Sequence, residues 1–239
     1  MNDTTRTGSS GLPTPYAEPP AHAVMDGRLV KLEPLSLLAN LDDLFEAGSD
    51  PAIWDWLGYG PFADKSVMRA WLEGCASSAD PLWFAIRDKT DGRAKGMCAW
   101  LRIDPDMGVI EIGHIWYAIS LQRTAAATEA VYLLFRQAFE DGGYRRLEWK
   151  CNAMNQPSRN AARRLGFTFE GIFRQHMITK GRNRDTAWFS LLDREWPATG
   201  RAFEQWLAPE NFAADGRQIT SLGALIEASR RGDVAGPGG

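Results

Sequence analysis

Residues 111–130, EIGHIWYAISLQRTAAATEA, contain the strand-to-helix transition that decides the fold. The run over 109–119 is rich in β-branched and aromatic residues and predicts a strand, whereas 125–141 is rich in helix formers and ends at two glycines. A helix start leaves backbone N–H groups unpaired and attracts phosphate. The small residues at 125–127 would let such a group approach the backbone. The alternative is an ordinary helix start capped by Thr124.

Strand-like and helix-like segments alternate on both sides of this transition. Strands are predicted over 28–35, 82–88, 96–104, 109–119, 145–152, 167–179 and 186–193. Helices are predicted over 37–47, 65–76, 125–141 and 158–166. This order indicates an α/β fold, a mixed sheet of about seven strands with flanking helices.

The two ends of the chain differ in composition from the middle. Residues 1–25 are dense in Pro, Gly, Ser and Thr and predict a flexible segment. One α/β domain is expected over 26–197. Residues 198–239 predict a helical extension, with apolar residues at helical spacing over 219–226, followed by a loose, glycine-rich tail.

Composition excludes several classes of protein. The chain has 239 residues, of which 44% are hydrophobic and 24% charged, as is usual for globular proteins. No apolar run approaches the roughly 18 residues of a membrane helix, and the N-terminus lacks the order of a secretory signal. We therefore expect a soluble, cytoplasmic protein without a membrane partner. Three cysteines without CxxC spacing and three histidines make a metal site improbable.

Positive charge is concentrated in residues 141–185. This segment has ten Lys and Arg against four Asp and Glu, a balance of 10 − 4 = +6, although the whole chain carries −3. An anionic ligand is therefore expected in the C-terminal half. Nucleic acid is not expected to be that ligand, because the arginines are spread over a strand and a helix and no reader motif is present.

Three linked segments resemble the GNAT superfamily of acyl-CoA N-acyltransferases. They are the stretch 111–130, RLEWKCNAMNQPSRNAARRLGF at 146–167 and EGIFRQHMITKGRNRDTAWFSLLDREWP at 170–197. Within the superfamily the resemblance is to the ribosomal-protein alanine acetyltransferases, and it covers about 26–197. It implies acetyl-CoA or another acyl-CoA as co-substrate and a small-molecule or peptide amine as acceptor. It is also compatible with an acyl carrier protein as donor, or with an inactive protein that only binds a partner. The protein would be a monomer or a homodimer.

The resemblance also implies where the acyl-CoA binds. The superfamily pattern Gln/Arg-x-x-Gly-x-Gly/Ala is matched at Gln122 and Ala127, whereas Ala125 stands in place of the central Gly. The implied site is a V between splayed parallel strands at 109–119 and 145–152. Its pantetheine arm would pair with Trp116, Tyr117, Ala118 and Ile119, and its phosphates would bind Arg123, Thr124, Ala125, Ala126, Ala127 and Thr128. Asn155 and Ser158 would hold the pantetheine, or would only cap the following helix.

Two residues of the strand 109–119 are candidate bases for deprotonating the amine. Glu111 matches an acidic position of the resembling branch and is preferred over His114. Because they are three residues apart in a strand, we expect them on opposite faces, so that only one faces the thioester. The alternatives are a Glu111 paired with a neighbouring cation and a structural His114. Ala162 stands where many members have a tyrosine that protonates the thiolate, so solvent or another residue would do so.

Two segments are candidates for binding the acceptor. Trp54, Trp56 and Tyr59 form an aromatic cluster that would wall a pocket, or would pack at the edge of the core. The polar turn at 180–185 offers Arg182, Arg184 and Asp185, whose charges suit a carboxylate or a peptide terminus. The alternative for this turn is a solvated hairpin.

Overall fold

The computed structural model describes residue 12 and residues 15–232. Its strands are β1 (Met25–Asp26), β2 (Val30–Pro34), β3 (Leu82–Asp88), β4 (Ala94–Asp104), β5 (Val109–Tyr117), β6 (Arg146–Asn152), β7 (Thr168–Thr179) and β8 (Arg182–Leu192). They form one sheet in the order β1-β2-β3-β4-β5-β6-β8-β7. The predicted mixed α/β sheet is confirmed, and the strand beyond the predicted seven is the two-residue β1.

Six α-helices flank this sheet in the described part of the chain. They are α1 (Leu37–Ala47), α2 (Lys65–Ala76), α3 (Ala125–Arg136), α4 (Gln156–Arg164), α5 (Trp196–Leu207) and α6 (Leu222–Arg231). A π-helical turn, Gln137–Asp141, continues α3. None of these helices is long and apolar enough to cross a membrane.

Each face of the sheet has its own apolar core. The first core joins α3 and α5 to the sheet and includes the fully buried Phe135 and Phe203. The second core joins α1 and α2 to the opposite face and includes Leu44 and Leu72. The second core buries the apolar stripes of α1 and α2. Helical spacing of the apolar residues in the sequence places each stripe on one side of its helix.

The pairing of β5 with β6 is parallel and short. Residues 109–112 pair with residues 146–149, and no pairing of these two strands follows in the described chain. On their outer edges both strands stay paired for longer, β5 with β4 as far as Tyr117 and β6 with β8 as far as Asn152. The two strands therefore splay apart in a V, and the predicted splay is confirmed.

The cores extend beyond both ends predicted for the domain. Ala17 is buried in the first core, although residues 1–25 were expected to be flexible. At the other end Phe203, Trp206 and Ile226 belong to the same core, so the helical extension after residue 197 packs against the sheet. Residues 1–11, 13 and 14 of the N-terminal segment and 233–239 of the predicted tail lie outside the described residues.

Glu129 ties the start of β2 to α3. Its buried carboxylate accepts hydrogen bonds from the backbone N–H groups of Arg28 at 3.0 Å, Leu29 at 2.6 Å and Val30 at 2.9 Å. A side chain at Gly27 would place its Cβ 2.6 Å from Glu129 Oε2, so glycine lets the loop wrap around the carboxylate. One acidic side chain thus satisfies three donors of a loop that has no strand partner there.

We predict that Glu129→Gln destabilises the fold. The amide NH2 group would face N–H donors, and the loss of charge-assisted hydrogen bonds should lower the free energy of unfolding by about 1–3 kcal/mol. Chemical denaturation measures this. The control is Glu46→Gln, because Glu46 forms only an exposed ion pair with Arg93 and should leave the unfolding midpoint nearly unchanged. Equal effects of the two variants would contradict the anchoring role of Glu129.

Candidate functional site

A cavity of about 1210 Å³ occupies the V between β5 and β6. Its walls come from the start of α3, one side of α4, the loop before β2 and the segment after α5. Three arginines line it, Arg28, Arg123 and Arg164, and no acidic residue of the described chain does. The cavity is therefore electropositive, and it suits an extended anionic ligand.

The N-terminus of α3 opens into this cavity. Thr124 caps the helix, because its Oγ1 accepts a hydrogen bond from Ala127 N at 3.1 Å. Arg123 precedes it in the left-handed region with a φ of +62°, a strained conformation that is concentrated at functional sites. The helix start is therefore both capped by Thr124 and exposed to the cavity, although the sequence analysis treated these two roles as alternatives.

Not every residue predicted for the phosphate site reaches the cavity. Its walls include Arg123, Thr124, Ala125, Ala127 and Thr128. Ala126 and Gln122 do not line the cavity, in contrast to what the sequence predicted for them. The Gln122 side chain turns back and donates from Nε2 to the Tyr117 carbonyl at 3.1 Å.

The residues 116–119 contribute to the cavity unevenly. Tyr117 lines it, and its hydroxyl donates to the carbonyl of Ala127 at 3.2 Å. The Trp116 side chain is buried in the second core, and Ala118 N donates to Lys95 O at 2.7 Å. Ile119 is exposed. Side-chain contact with a ligand in this cavity is thus available to Tyr117, and backbone pairing by the other three stays a prediction.

Asn155 and Ser158 have structural partners. Asn155 Oδ1 accepts from Ser158 N at 3.1 Å and caps α4, and Ser158 Oγ accepts from Trp149 Nε1 at 3.0 Å. Neither residue lines the cavity, and capping accounts for the Asn155 side chain, so their role as pantetheine ligands stays a prediction. Ala162, where the superfamily often has a tyrosine, is fully buried.

A different side of α4 faces the cavity. Its residues follow helical spacing i, i+3, i+4, i+7: Pro157, Asn160, Ala161 and Arg164. Arg164 Nη2 donates to Thr128 Oγ1 at 3.1 Å, and its guanidinium lies 5.0 Å from the Trp206 ring centroid. Burial lowers the pKa of Arg164. Sequence analysis missed this stripe, which the helical spacing alone could have revealed.

The segment after α5 supplies a further wall that no motif indicated. It includes Phe212 and Gln218, and Trp206, near the end of α5, also lines the cavity and donates from Nε1 to Gln218 Oε1 at 2.8 Å. The two aromatic rings pack edge to face with centroids 5.3 Å apart. The C-terminal extension is therefore part of the cavity.

Glu111 and His114 lie on the same face of the sheet, contrary to the prediction from strand parity. Trp83 pairs with Ala99, and Ala99 pairs with Gly113, so Trp83 shares a face with Gly113 and with Glu111. A bulge in β5 gives His114 a φ of +52° and turns its ring onto Trp83, with ring centroids 4.5 Å apart. The extra residue of a bulge cancels the alternation on which the prediction relied.

Glu111 is buried within a network of opposite charges. Its Oε2 lies 2.9 Å from Arg102 Nε and 2.8 Å from Lys150 Nζ, and Lys150 also lies 2.7 Å from Glu148 Oε2. Burial raises the pKa of Glu111, although Lys150 and Arg102 oppose that shift. Glu111 is thus paired with neighbouring cations, which was the alternative to its role as a base. The pairing carboxylate is buried.

His114 is held as a neutral imidazole. Burial, together with the positive charge of Arg184, lowers its pKa to about 4. Its Nδ1 lies 3.3 Å from the Tyr59 hydroxyl, which the sequence had assigned to the acceptor pocket. His114 therefore remains uncharged at neutral pH, with weak basicity.

The other acceptor candidates are separated by the fold. Trp54 is fully buried and donates from Nε1 to Gly48 O, so its side chain belongs to the core and its assignment as a pocket wall is corrected. Trp56 is 42% exposed. The carbonyl of Trp54 accepts from Lys180 Nζ at 2.8 Å, a contact that joins the β7–β8 turn to this segment and that the sequence did not indicate.

The β7–β8 hairpin places its three predicted residues in different surroundings. Arg182 is exposed near the turn. The carboxylate of Asp185 accepts from Gln175 N at 2.7 Å and from Asn183 Nδ2 at 3.0 Å, so it stabilises the hairpin. Arg184 is partly buried and faces the side of the sheet that carries Glu111.

Known proteins match both the sequence and the structure. Residues 30–168 match the model of the GNAT acetyltransferase domain family. The uncharacterized N-acetyltransferase p20 of Bacillus licheniformis is 32% identical over 171 residues, which cover 66% of this chain and 90% of that protein. A crystal structure of a GCN5-related N-acetyltransferase from Brucella melitensis has a TM-score of 0.88 and 48% identity, covering 90% of this chain and 98% of that one.

A more distant solved structure shows the fold alone. It is an acetyltransferase from Salmonella typhimurium that modifies the N-terminal serine of ribosomal protein L7/L12, with 19% identity, a TM-score of 0.61, and coverage of 71% of this chain and 98% of that one. The domain match includes β5, β6, α3 and α4, which contribute most of the cavity lining. The chain therefore belongs to the GNAT acetyltransferase family and is an acetyltransferase.

Proposed function

We propose that this protein transfers an acetyl group from acetyl-CoA to the nitrogen of a primary amine by direct attack on the thioester. The observation that carries the proposal is the cavity in the V. It combines a helix N-terminus, three arginines and no acidic residue in the described chain. This is the chemistry that a pyrophosphate and a further phosphate require.

The lining of the cavity supports acetyl-CoA as its ligand. The first turn of α3 with Arg123 would bind the pyrophosphate, and Arg28 and Arg164 would bind the remaining phosphate charge. Tyr117 and Trp149, which line the cavity between the splayed strands, would contact the pantetheine arm. Bound acetyl-CoA would supply the thioester whose carbonyl carbon the amine attacks.

The acceptor would approach from the face that carries Glu111 and His114. A neutral amine is the nucleophile, and its proton must be removed as the C–N bond forms and the thiolate departs. Glu111 is the better base of the two, because burial raises its pKa, whereas that of His114 is lowered to about 4. His114 would have a structural role through its contact with Tyr59. Solvent would protonate the departing thiolate.

The class of acceptor is a further part of the proposal. The resemblance to ribosomal-protein acetyltransferases favours a peptide N-terminus, and a small amine is the alternative acceptor. An acyl carrier protein as donor would leave the three cavity arginines without a nucleotide to bind. The described cavity therefore favours CoA over a carrier protein.

We predict that Arg164→Gln weakens the binding of CoA by about 10- to 100-fold, the loss expected for a charge-assisted hydrogen bond. Titration calorimetry measures the dissociation constant, and the rise in melting temperature with acetyl-CoA gives an independent estimate. The matched control is Arg163→Gln, which removes the same charge from the same helix at a residue that does not line the cavity.

Equal losses in the two variants would mean that only the net charge of α4 matters. If saturating acetyl-CoA leaves the melting temperature of the unaltered protein unmoved while an acylated carrier protein raises it, the donor is the carrier protein. Either result would contradict the assignment of the nucleotide to this cavity.

We predict that Glu111→Gln lowers turnover at neutral pH by about 10²- to 10⁴-fold, the usual effect of losing a positioned base. Because the base must be deprotonated, turnover of the unaltered enzyme should fall as pH drops through a pKa above the usual 4.5 of Glu111. The variant should lose this dependence and recover partly at high pH, where the amine deprotonates unaided. Steady-state rates from pH 5 to 10 measure both effects.

We predict that His114→Asn acts mainly on stability. Its ring packs against Trp83 and Tyr59, so the variant should have a lower melting temperature and little change in turnover per folded molecule. Loss of turnover in His114→Asn with an active Glu111→Gln would reverse the assignment of the base. Activity in both would indicate catalysis by proximity alone.

A further inference from the structure

Arg184 is a cation without a partner in the described chain. No hydrogen bond or ion pair involves its guanidinium there, and its Nε is buried with no hydrogen-bond partner. Burial lowers its pKa. A buried donor that lacks a partner raises the free energy of the folded state, so such a group needs an explanation.

The register of the sheet places Arg184 beside the candidate bases. Trp188 of β8 pairs with Lys150 of β6, and Lys150 contacts Glu111, so these side chains share one face. Arg184 lies four residues before Trp188 and alternation puts it on the same face. Its charge contributes to the lowered pKa of His114, and the charge of Glu111 opposes the lowering of the Arg184 pKa, in agreement with this placement.

The neighbouring charges on this face compensate one another and leave Arg184 out. They alternate in the order Arg102, Glu111, Lys150, Glu148, Arg146, Glu170, with a separation of 2.6–2.9 Å between successive charged atoms. Three cations and three anions make this chain of ion pairs neutral. Arg184 adds one positive charge. Burial, together with the charges of Arg102, Arg184 and Lys150, lowers the pKa of the nearby His176. The face therefore has an excess of positive charge next to Glu111.

The surroundings of Arg184 are bounded by two segments of the chain. Lys180 Nζ, at the β7–β8 turn, donates to the carbonyl of Trp54, so the hairpin is tied to the segment Pro51–Trp54. Tyr59 and Trp83 pack around His114 on the same side.

We propose that Arg184 binds the carboxylate of the acceptor, so that the acceptor is a small amine that also carries a carboxylate. Its guanidinium would donate to the carboxylate oxygens while the amine lies beside Glu111 and His114. This inference rests on the proposed N-acetyl transfer. It deepens that function by naming the class of acceptor, and it explains why a partly buried arginine has no partner among the residues that the structure describes.

The test compares amines in matched pairs, each an amino acid and the amine left after its decarboxylation. The unaltered enzyme should prefer the amino acid by about 10- to 100-fold in kcat/KM, mainly through KM, as expected for a charge-assisted contact. Arg184→Gln should lose this preference and keep turnover of the decarboxylated amine. Its melting temperature should be unchanged or higher, because an unpaired buried charge is removed.

The matched control is Arg174→Gln, which removes an exposed cation from the neighbouring strand β7. It should keep the preference for amino acids. If the unaltered enzyme has the same kcat/KM for both members of each pair, the inference about Arg184 is wrong, whereas the proposed N-acetyl transfer is unaffected. If the enzyme acetylates only peptides with acidic N-termini, the proposal of a small acceptor is wrong.

A binding measurement separates this inference from the proposed function. Amino acids should quench tryptophan fluorescence of the unaltered protein at concentrations about 10- to 100-fold lower than in Arg184→Gln. If no amine is acetylated, the proposed function fails, and this difference still decides whether Arg184 binds a carboxylate. Identical titrations of the two proteins would overturn the inference.

Discussion

The short parallel pairing of β5 with β6 is the constraint on which the rest of the structure depends. Only residues 109–112 and 146–149 are paired, while the outer edges of both strands stay bound to β4 and β8. Parallel strands that separate while their outer neighbours hold them must open a gap inside the sheet. The start of α3, one side of α4 and the segment after α5 line this gap, so three distant parts of the chain form one cavity.

The same strand organises the opposite face through its bulge at His114. One extra residue turns the imidazole onto the face that carries Glu111, where both lie within reach of Arg184. The carboxylate of Glu111 is buried only because Arg102 and Lys150 compensate its charge. The sheet thus separates two electrostatic environments, a cavity with three arginines and a face with a neutral chain of ion pairs and one unpaired guanidinium.

Much of the fold was predictable because the signals were local. Alternating strand and helix patterns specified the elements, and the small residues after Thr124 indicated a helix start that faces an anion. The resemblance of three separated segments indicated the family before any coordinates. Tyr117 and residues 123–128, apart from Ala126, line the cavity, since strand and helix start are adjacent in sequence, and their binding of a cofactor stays a prediction.

The sequence by itself determined the order of elements and the capped helix start after Thr124, because both follow from short-range periodicity and capping. The splayed pair of strands was implied by the family resemblance. Tertiary structure decided which side chains share a face. A bulge overrode strand parity at His114, burial moved Trp54 into the core, and helix orientation turned Arg164 rather than Asn155 toward the cavity. The surroundings of Arg184 were decided in the same way. Its lack of a partner in the described chain follows from how segments distant in sequence pack around it.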